Sequence, residues 1–287
     1  MDQPKPSFLV RNEFLIRRLH SLSGLVPVGA YMVVHLLTNA SVLNGPGTFQ
    51  SNVYQIHSLG RLLPVIEWGF IFLPILFHAI IGVVIVAGCM PNTIHYPYKA
   101  NFRYTLQRWT GMIAFVFILW HVFHMHGWFH SEVWRANVVE PFGGGQFKPY
   151  NAASSAGLAL QSAVVAFLYA VGVLSCVYHL ANGIWTSGIT WGVWTSPEAQ
   201  RRALSVCAVF GILLGIVGLG ALGGMRSVGR GQALENARDV ENRMYQHRVE
   251  AGELLPNEEK REPLDKNTGN PAAQTEQSEN KIEKSVE

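Results

Sequence analysis

The amino-acid sequence predicts an all-α membrane protein with five transmembrane helices and a polar C-terminal tail. Three observations predict it. Long apolar stretches recur five times with almost no charge inside them. Charge is segregated: residues 1–225 carry 12 Lys/Arg and 6 Asp/Glu, whereas residues 226–287 carry 10 and 13. Trp68, Trp109, Trp128, Trp185 and Trp191 stand at the ends of the apolar stretches, where amphipathic rings favour the membrane–water interface. A soluble chain of this length would mix its charges throughout. The sequence therefore divides into a membrane domain, 1–225, and a solvated tail, 226–287.

Crossing the hydrocarbon layer takes about 20 apolar residues in a helix. Segments 22–42, 64–90, 109–129, 157–186 and 203–224 qualify, and the only carboxylate in any of them is Glu67. With the N-terminus inside, the inner segments hold Lys5, Arg11, Arg17, Arg18, Lys99, Arg103, Arg108, Arg201 and Arg202. The outer segments hold Arg61, Arg135 and Lys148. That asymmetry fixes the orientation, and five spans then place the C-terminus outside. A net charge of +3 in clusters beside apolar runs excludes a nucleic-acid stripe. Cys89, Cys176 and Cys207 form no C-x-x-C pair and no C-x-x-C-H motif, so neither a disulfide nor thioether-bound haem is expected. Some 20 mostly polar residues precede the first apolar run, unlike a cleavable signal. In the tail, 230–252 reads as a charged helix and 256–287 as disordered.

Ionisable residues inside a membrane are costly and mark function. Four successive spans each carry one histidine well inside: His35, His78, His121 and His179. A haem iron between helices takes one imidazole from each side, so one His per helix points to a haem-binding bundle of four of the five helices. At 1.5 Å per residue, His35 lies roughly 25 Å beyond Arg18 and His121 roughly 20 Å beyond Arg108, both towards the outer side. His179 lies near the inner end of its helix, and His78 joins it by exclusion. Small residues leave room for a flat cofactor: Gly82 beside His78, Gly183, Ser175 and Gly172 beside His179, Ala114 beside His121. Pro74 removes a donor and should bend the second span. His124, His126 and His130 at the end of the third span are explained by interface solvation, and His57, His95 and His247 fall in loops or tail.

At these residues the sequence resembles a family. R-R-L-H-S-L-S-G-L-V-P-V-G (17–29), V-V-H-L-L-T-N (33–39), F-L-P-I-L-F-H-A-I-I-G (72–82), L-Q-R-W-T-G (106–111), L-W-H-V (119–122), V-Y-H-L-A-N-G-I-W (177–185) and T-W-G-V-W-T-S-P-E-A-Q-R (190–201) look like the five-helix dihaem cytochrome b anchors of bacterial succinate dehydrogenases and fumarate reductases. The resemblance covers about residues 12–222. It implies two haem b with His35, His78, His121 and His179 as axial ligands. It also implies flavoprotein and iron–sulfur partner subunits on the cytoplasmic side of the bacterial inner membrane, and a quinone, menaquinone by family habit, near the outer haem. The chain itself would do no dicarboxylate chemistry. The long tail after Met225 departs from the family pattern.

Secondary expectations attach to charged residues near these spans. Arg17, Arg18, His20, Ser21 and Arg108 are placed to meet the inner haem's propionates or a partner subunit. Glu67 is a candidate for protonating quinone, against the plainer role of an interfacial carboxylate reaching water. Gly211 and Gly215 form a G-x-x-x-G suited to close packing. Two other functions compete: the cytochrome b of another quinone-linked dehydrogenase, and a transporter moving metal or protons by intramembrane His. Neither internal repeats nor carboxylate-bearing broken helices favour the transporter.

Overall fold

The computed structural model describes residues 8–88 and 93–262; Lys5, Cys89 and the tail beyond 262 lie outside the described residues. Among the described residues five helical stretches are long and apolar enough to cross a membrane: span I, Glu13–Asn44; II, Gly60–Ala87; III, Lys99–His126; IV, Ala163–Thr190; and V, Pro197–Val228. Apolar side chains such as Ile80, Val116, Phe167 and Ile212 stand exposed around the bundle, as lipid-facing residues do, while backbone polar groups are satisfied within each helix. Span IV is central, packing on I, III and V, and span II packs chiefly on the first half of span I. Leu36, Val177, Leu180 and Leu214 form the core between I, IV and V. Gly211 and Gly215 lie against Ala181, Leu174 and Val177, so the G-x-x-x-G seats V on IV.

Proline shapes the first two spans. Span I is a helix to Leu25 that restarts at Pro27, where a missing N–H is harmless at a helix start. In span II a π-helical turn, Glu67–Phe72, closes with Leu73 N–H donating to Trp68 C=O. It precedes the helix Leu73–Ala87 that opens on Pro74. A proline frees carbonyls in the preceding turn, and the wider turn accommodates it.

The connections at the His35/His121 end are built rather than loose. Between spans I and II lies helix α1, Pro46–His57. Before span IV lies helix α2, Ala152–Ala159, whose first six residues are all buried. Span IV thus begins at Ala163 and not within the single stretch 157–186 read from hydropathy. Gln161, at the break, donates to Gly157 C=O and Arg226 C=O, which fixes the corner. After span V comes helix α3, Gly231–Glu250. The chain from 256 was expected to be disordered, yet 256–262 is ordered. Arg261 binds Glu258 and Asn242 and lies over the Tyr245 ring, and Glu262 N–H donates to Asn151 Oδ1.

Candidate functional site

The four span histidines come together in two pairs. His35 and His121 have ring centres 5.9 Å apart and His78 and His179 6.0 Å apart, the same two pairs that depth along the helices suggests. Metal–imidazole bonds of about 2 Å on both sides of one ion put ring centres roughly 6 Å apart, so each pair has the spacing of two axial ligands. The hydrogen bonds fit as well. His78 Nδ1–H donates to His20 C=O at 2.9 Å, and His179 Nδ1–H donates to Gln107 C=O at 3.0 Å. Each leaves Nε2 for a metal, the usual arrangement of a ligating imidazole. His121 Nδ1 meets the Tyr169 hydroxyl at 3.2 Å, which also meets His124 Nδ1 at 2.9 Å. His35 Nε2 accepts from Asn39 Nδ2 at 3.1 Å, so an iron held through that nitrogen displaces the amide.

Space for a flat cofactor is also present. Span II has no buried residue and barely touches span III, leaving His78 at the edge of a gap rather than in a packed core. Gly24 stands against the His78 ring, and a Cβ on Gly111 would meet His179 Cε1 at 2.7 Å. Polar atoms wait at the His78/His179 end: His20 Nδ1, Arg103 Nε, Arg108 Nε and Tyr178 Oη are buried and without a hydrogen-bond partner. Donors left buried without acceptors are costly, and acidic groups of a bound cofactor would satisfy them. The residues present therefore fit haem.

The secondary candidates separate by placement. His20 stacks on His78, ring centres 4.0 Å apart, and belongs to the site. Ser21 Oγ lies 2.8 Å from Ser187 Oγ. Arg17 is paired with Glu13 at 2.8 Å on the surface, and Arg18 lies over the Phe14 and Trp191 rings. Arg108 covers the Tyr104 ring with Nε unpartnered. Glu67 opens the π-turn that packs on Pro27–Ala40. On that helix the Tyr31 ring stacks on His35 at 5.5 Å. Sequence reasoning missed Gln107, Tyr169, Asn39 and Arg103. Of these only Arg103 carried a signal, a cation at the start of a span, and it was read as a topology marker.

Two pairs of facing imidazoles inside a five-helix bundle are an arrangement that suits a transmembrane cytochrome of the b type. No family model matches the chain. It is 34% identical over 210 residues to the succinate dehydrogenase cytochrome b558 subunit of Bacillus subtilis (strain 168), a match spanning 73% of this chain and 96% of that relative. The chain belongs to the family of succinate dehydrogenase cytochrome b membrane-anchor subunits.

Proposed function

We propose that the chain anchors a succinate:quinone oxidoreductase and carries electrons between its iron–sulfur subunit and quinone through two haem b, held by His78/His179 and by His35/His121. The observation that carries this reading is the pairing itself: four histidines from four spans, the partners 86 and 101 residues apart in sequence, meet in two couples with near-identical ring spacings of 5.9 and 6.0 Å. Haem held by these histidine pairs would supply one-electron redox chemistry, with the two imidazoles of each pair taking the places that oxygen would otherwise bind. The flavoprotein and iron–sulfur subunits dock on the cytoplasmic side, where Arg17, Arg18, Arg103, Arg108, Arg201 and Arg202 cluster, so the N-terminus is inside and the C-terminus outside.

The chain's own residues divide the work. The carbonyls of His20 and Gln107 fix the tautomers of His78 and His179. Arg103, Arg108 and Tyr178 offer donors to the propionates of the inner haem, with His20 and Ser21 beside them. At the other end Glu67 opens the turn of span II that packs on Pro27–Ala40, the helix carrying His35, and in this reading it delivers protons to a quinone, menaquinone, bound near that haem. Purified complex tests all of this by reduced-minus-oxidised spectra with haem counted per polypeptide. Two b haems are expected, one lost in His35→Ala or His121→Ala and the other in His78→Ala or His179→Ala. A single haem, or loss of both in every variant, overturns the assignment. Glu67→Gln is expected to slow quinone reduction while both haems keep their spectra; unchanged turnover removes Glu67 from the path.

A further inference from the structure

The C-terminal segment does more than follow the bundle. Helix α2 sits at the mouth of the bundle with its N-terminus fully buried, where the first N–H groups of a helix need acceptors and favour negative charge. Those acceptors come from elsewhere in the chain. Gln50 of α1, 0% exposed, accepts from Ala152 N–H at 2.9 Å. Glu241 of α3, also 0% exposed, accepts from Ala153 N–H at 2.6 Å, from Ser154 N–H at 3.2 Å and from Ser154 Oγ–H at 2.6 Å. The segment is latched at further points: Tyr245 packs on Tyr150 beside Tyr54, Tyr150 N–H donates to Lys260 C=O, and Arg238 pairs with Glu262. Beneath it, Ala152, Ala153, Ala156 and Leu160 share one buried cluster with Val42, Phe49, Met225 and Tyr169. Tyr169 is the residue whose hydroxyl meets His121.

We propose that residues 231–262 form a fixed cap that, through Glu241 and α2, holds Tyr169 on His121 and closes this end of the bundle to water. The proposal rests on the reading of His35/His121 as a haem site, and Glu241 is a positioning residue, remote from any cofactor. The test compares intact complexes carrying Glu241→Ala, Glu241→Gln and a chain ending at Arg230. Hydrogen exchange over amides 152–160, which needs no haem, is read beside the midpoint potential of each haem. Wild type is expected to protect 152–160. Glu241→Ala and the shortened chain raise exchange there by about tenfold or more and shift the potential of the His35/His121 haem alone. Glu241→Gln, which keeps an acceptor and a donor to Ser154, preserves both. Rapid exchange at 152–160 in wild type overturns the cap, as does unchanged exchange in Glu241→Ala. Raised exchange with both potentials unmoved overturns the link to Tyr169. If instead His35→Ala in an otherwise wild-type chain loses no haem, the haem reading fails, and the exchange data still decide the cap.

Discussion

The two ends of the bundle hold their histidines by different means. At the His78/His179 end both imidazoles donate to backbone carbonyls, those of His20 and Gln107, and the Nε atoms of Arg103 and Arg108 and the Tyr178 hydroxyl are buried without a hydrogen-bond partner. At the His35/His121 end the partners are side chains, Tyr169 on His121 and, on the nitrogen of His35 that an iron would take, Asn39, and the three helices α1, α2 and α3 close the mouth. A backbone acceptor survives any substitution that keeps the helix, whereas a side-chain partner is removed by one. The hydrogen bonds of the first site are therefore insulated from changes of the partner residue, and those of the second are open to tuning. Proximity to the cap adds a second lever at that end, because anything that loosens α2 reaches Tyr169 through the shared apolar cluster.

The largest effect that would sharpen this contrast is steric, at the backbone-held end. Gly24 lies directly against the His78 ring and Gly111 against His179. Gly24→Ala is expected to push the His78 ring out of register and lower occupancy of that haem towards one haem per chain, leaving the other spectrum intact. Gly111→Ala, with more room, should act in the same direction less strongly. Haem content per polypeptide measures both. Normal occupancy in Gly24→Ala would show that His78 is not held where a ligand must be.

Much of this architecture was legible in the sequence, for identifiable reasons. Five spans show because lipid demands long uncharged stretches, and four histidines show because little else inside those stretches can ionise. The break at Leu160–Ser162 did not show, since hydropathy stays high from Ala152 into span IV and only the Gln161 hydrogen bonds reveal the corner. The Gln107 and His20 carbonyls were invisible because every residue has one. The cap was misjudged for a different reason. Its helix is rich in Glu, Asp and Arg, which reads as a solvated face, yet Glu241 is buried because a helix N-terminus waits for it. A pattern of charge along one segment cannot reveal an acceptor shortage in another.

Next in size is the pH response of the cap, where two groups oppose each other. Burial pushes the Glu241 carboxyl up to about 7, helped by Glu262 and resisted by the donors of Ser154 and Ala153. A raised carboxyl favours the folded cap when protonated, so its contribution falls as pH rises from about 4.5 to 7. Burial, with Lys260 nearby, pushes His57 down to about 4. A lowered imidazole favours the folded cap when neutral, so its contribution falls as pH drops from about 6.5 to 4. Each is worth about 3 kcal/mol by linkage, and in wild type they nearly cancel between pH 4.5 and 6.5. Separating them is the test. Protection over 152–160, taken relative to the intrinsic exchange rate at each pH, should fall on acidification alone in Glu241→Gln and on alkalinisation alone in His57→Asn. Flat profiles in both variants would show that neither group is buried as described.

The smallest effect isolates the side-chain partner itself. Tyr169→Phe keeps the ring that packs against Phe117 and Trp120 and removes only the hydroxyl shared by His121 and His124. Loss of one such bond costs about 1 kcal/mol, too little to unfold a bundle whose core lies between spans I, IV and V. His121 loses the partner of its Nδ1, and a less polarised imidazole is a poorer donor to iron, which raises the potential of that centre. A small positive shift confined to the His35/His121 haem is expected by redox titration, with the His78/His179 haem unmoved because its partners are carbonyls. Equal shifts at both haems would mean that the hydroxyl acts through the fold as a whole, and the contrast between a backbone-held and a side-chain-held site would lose its physical basis.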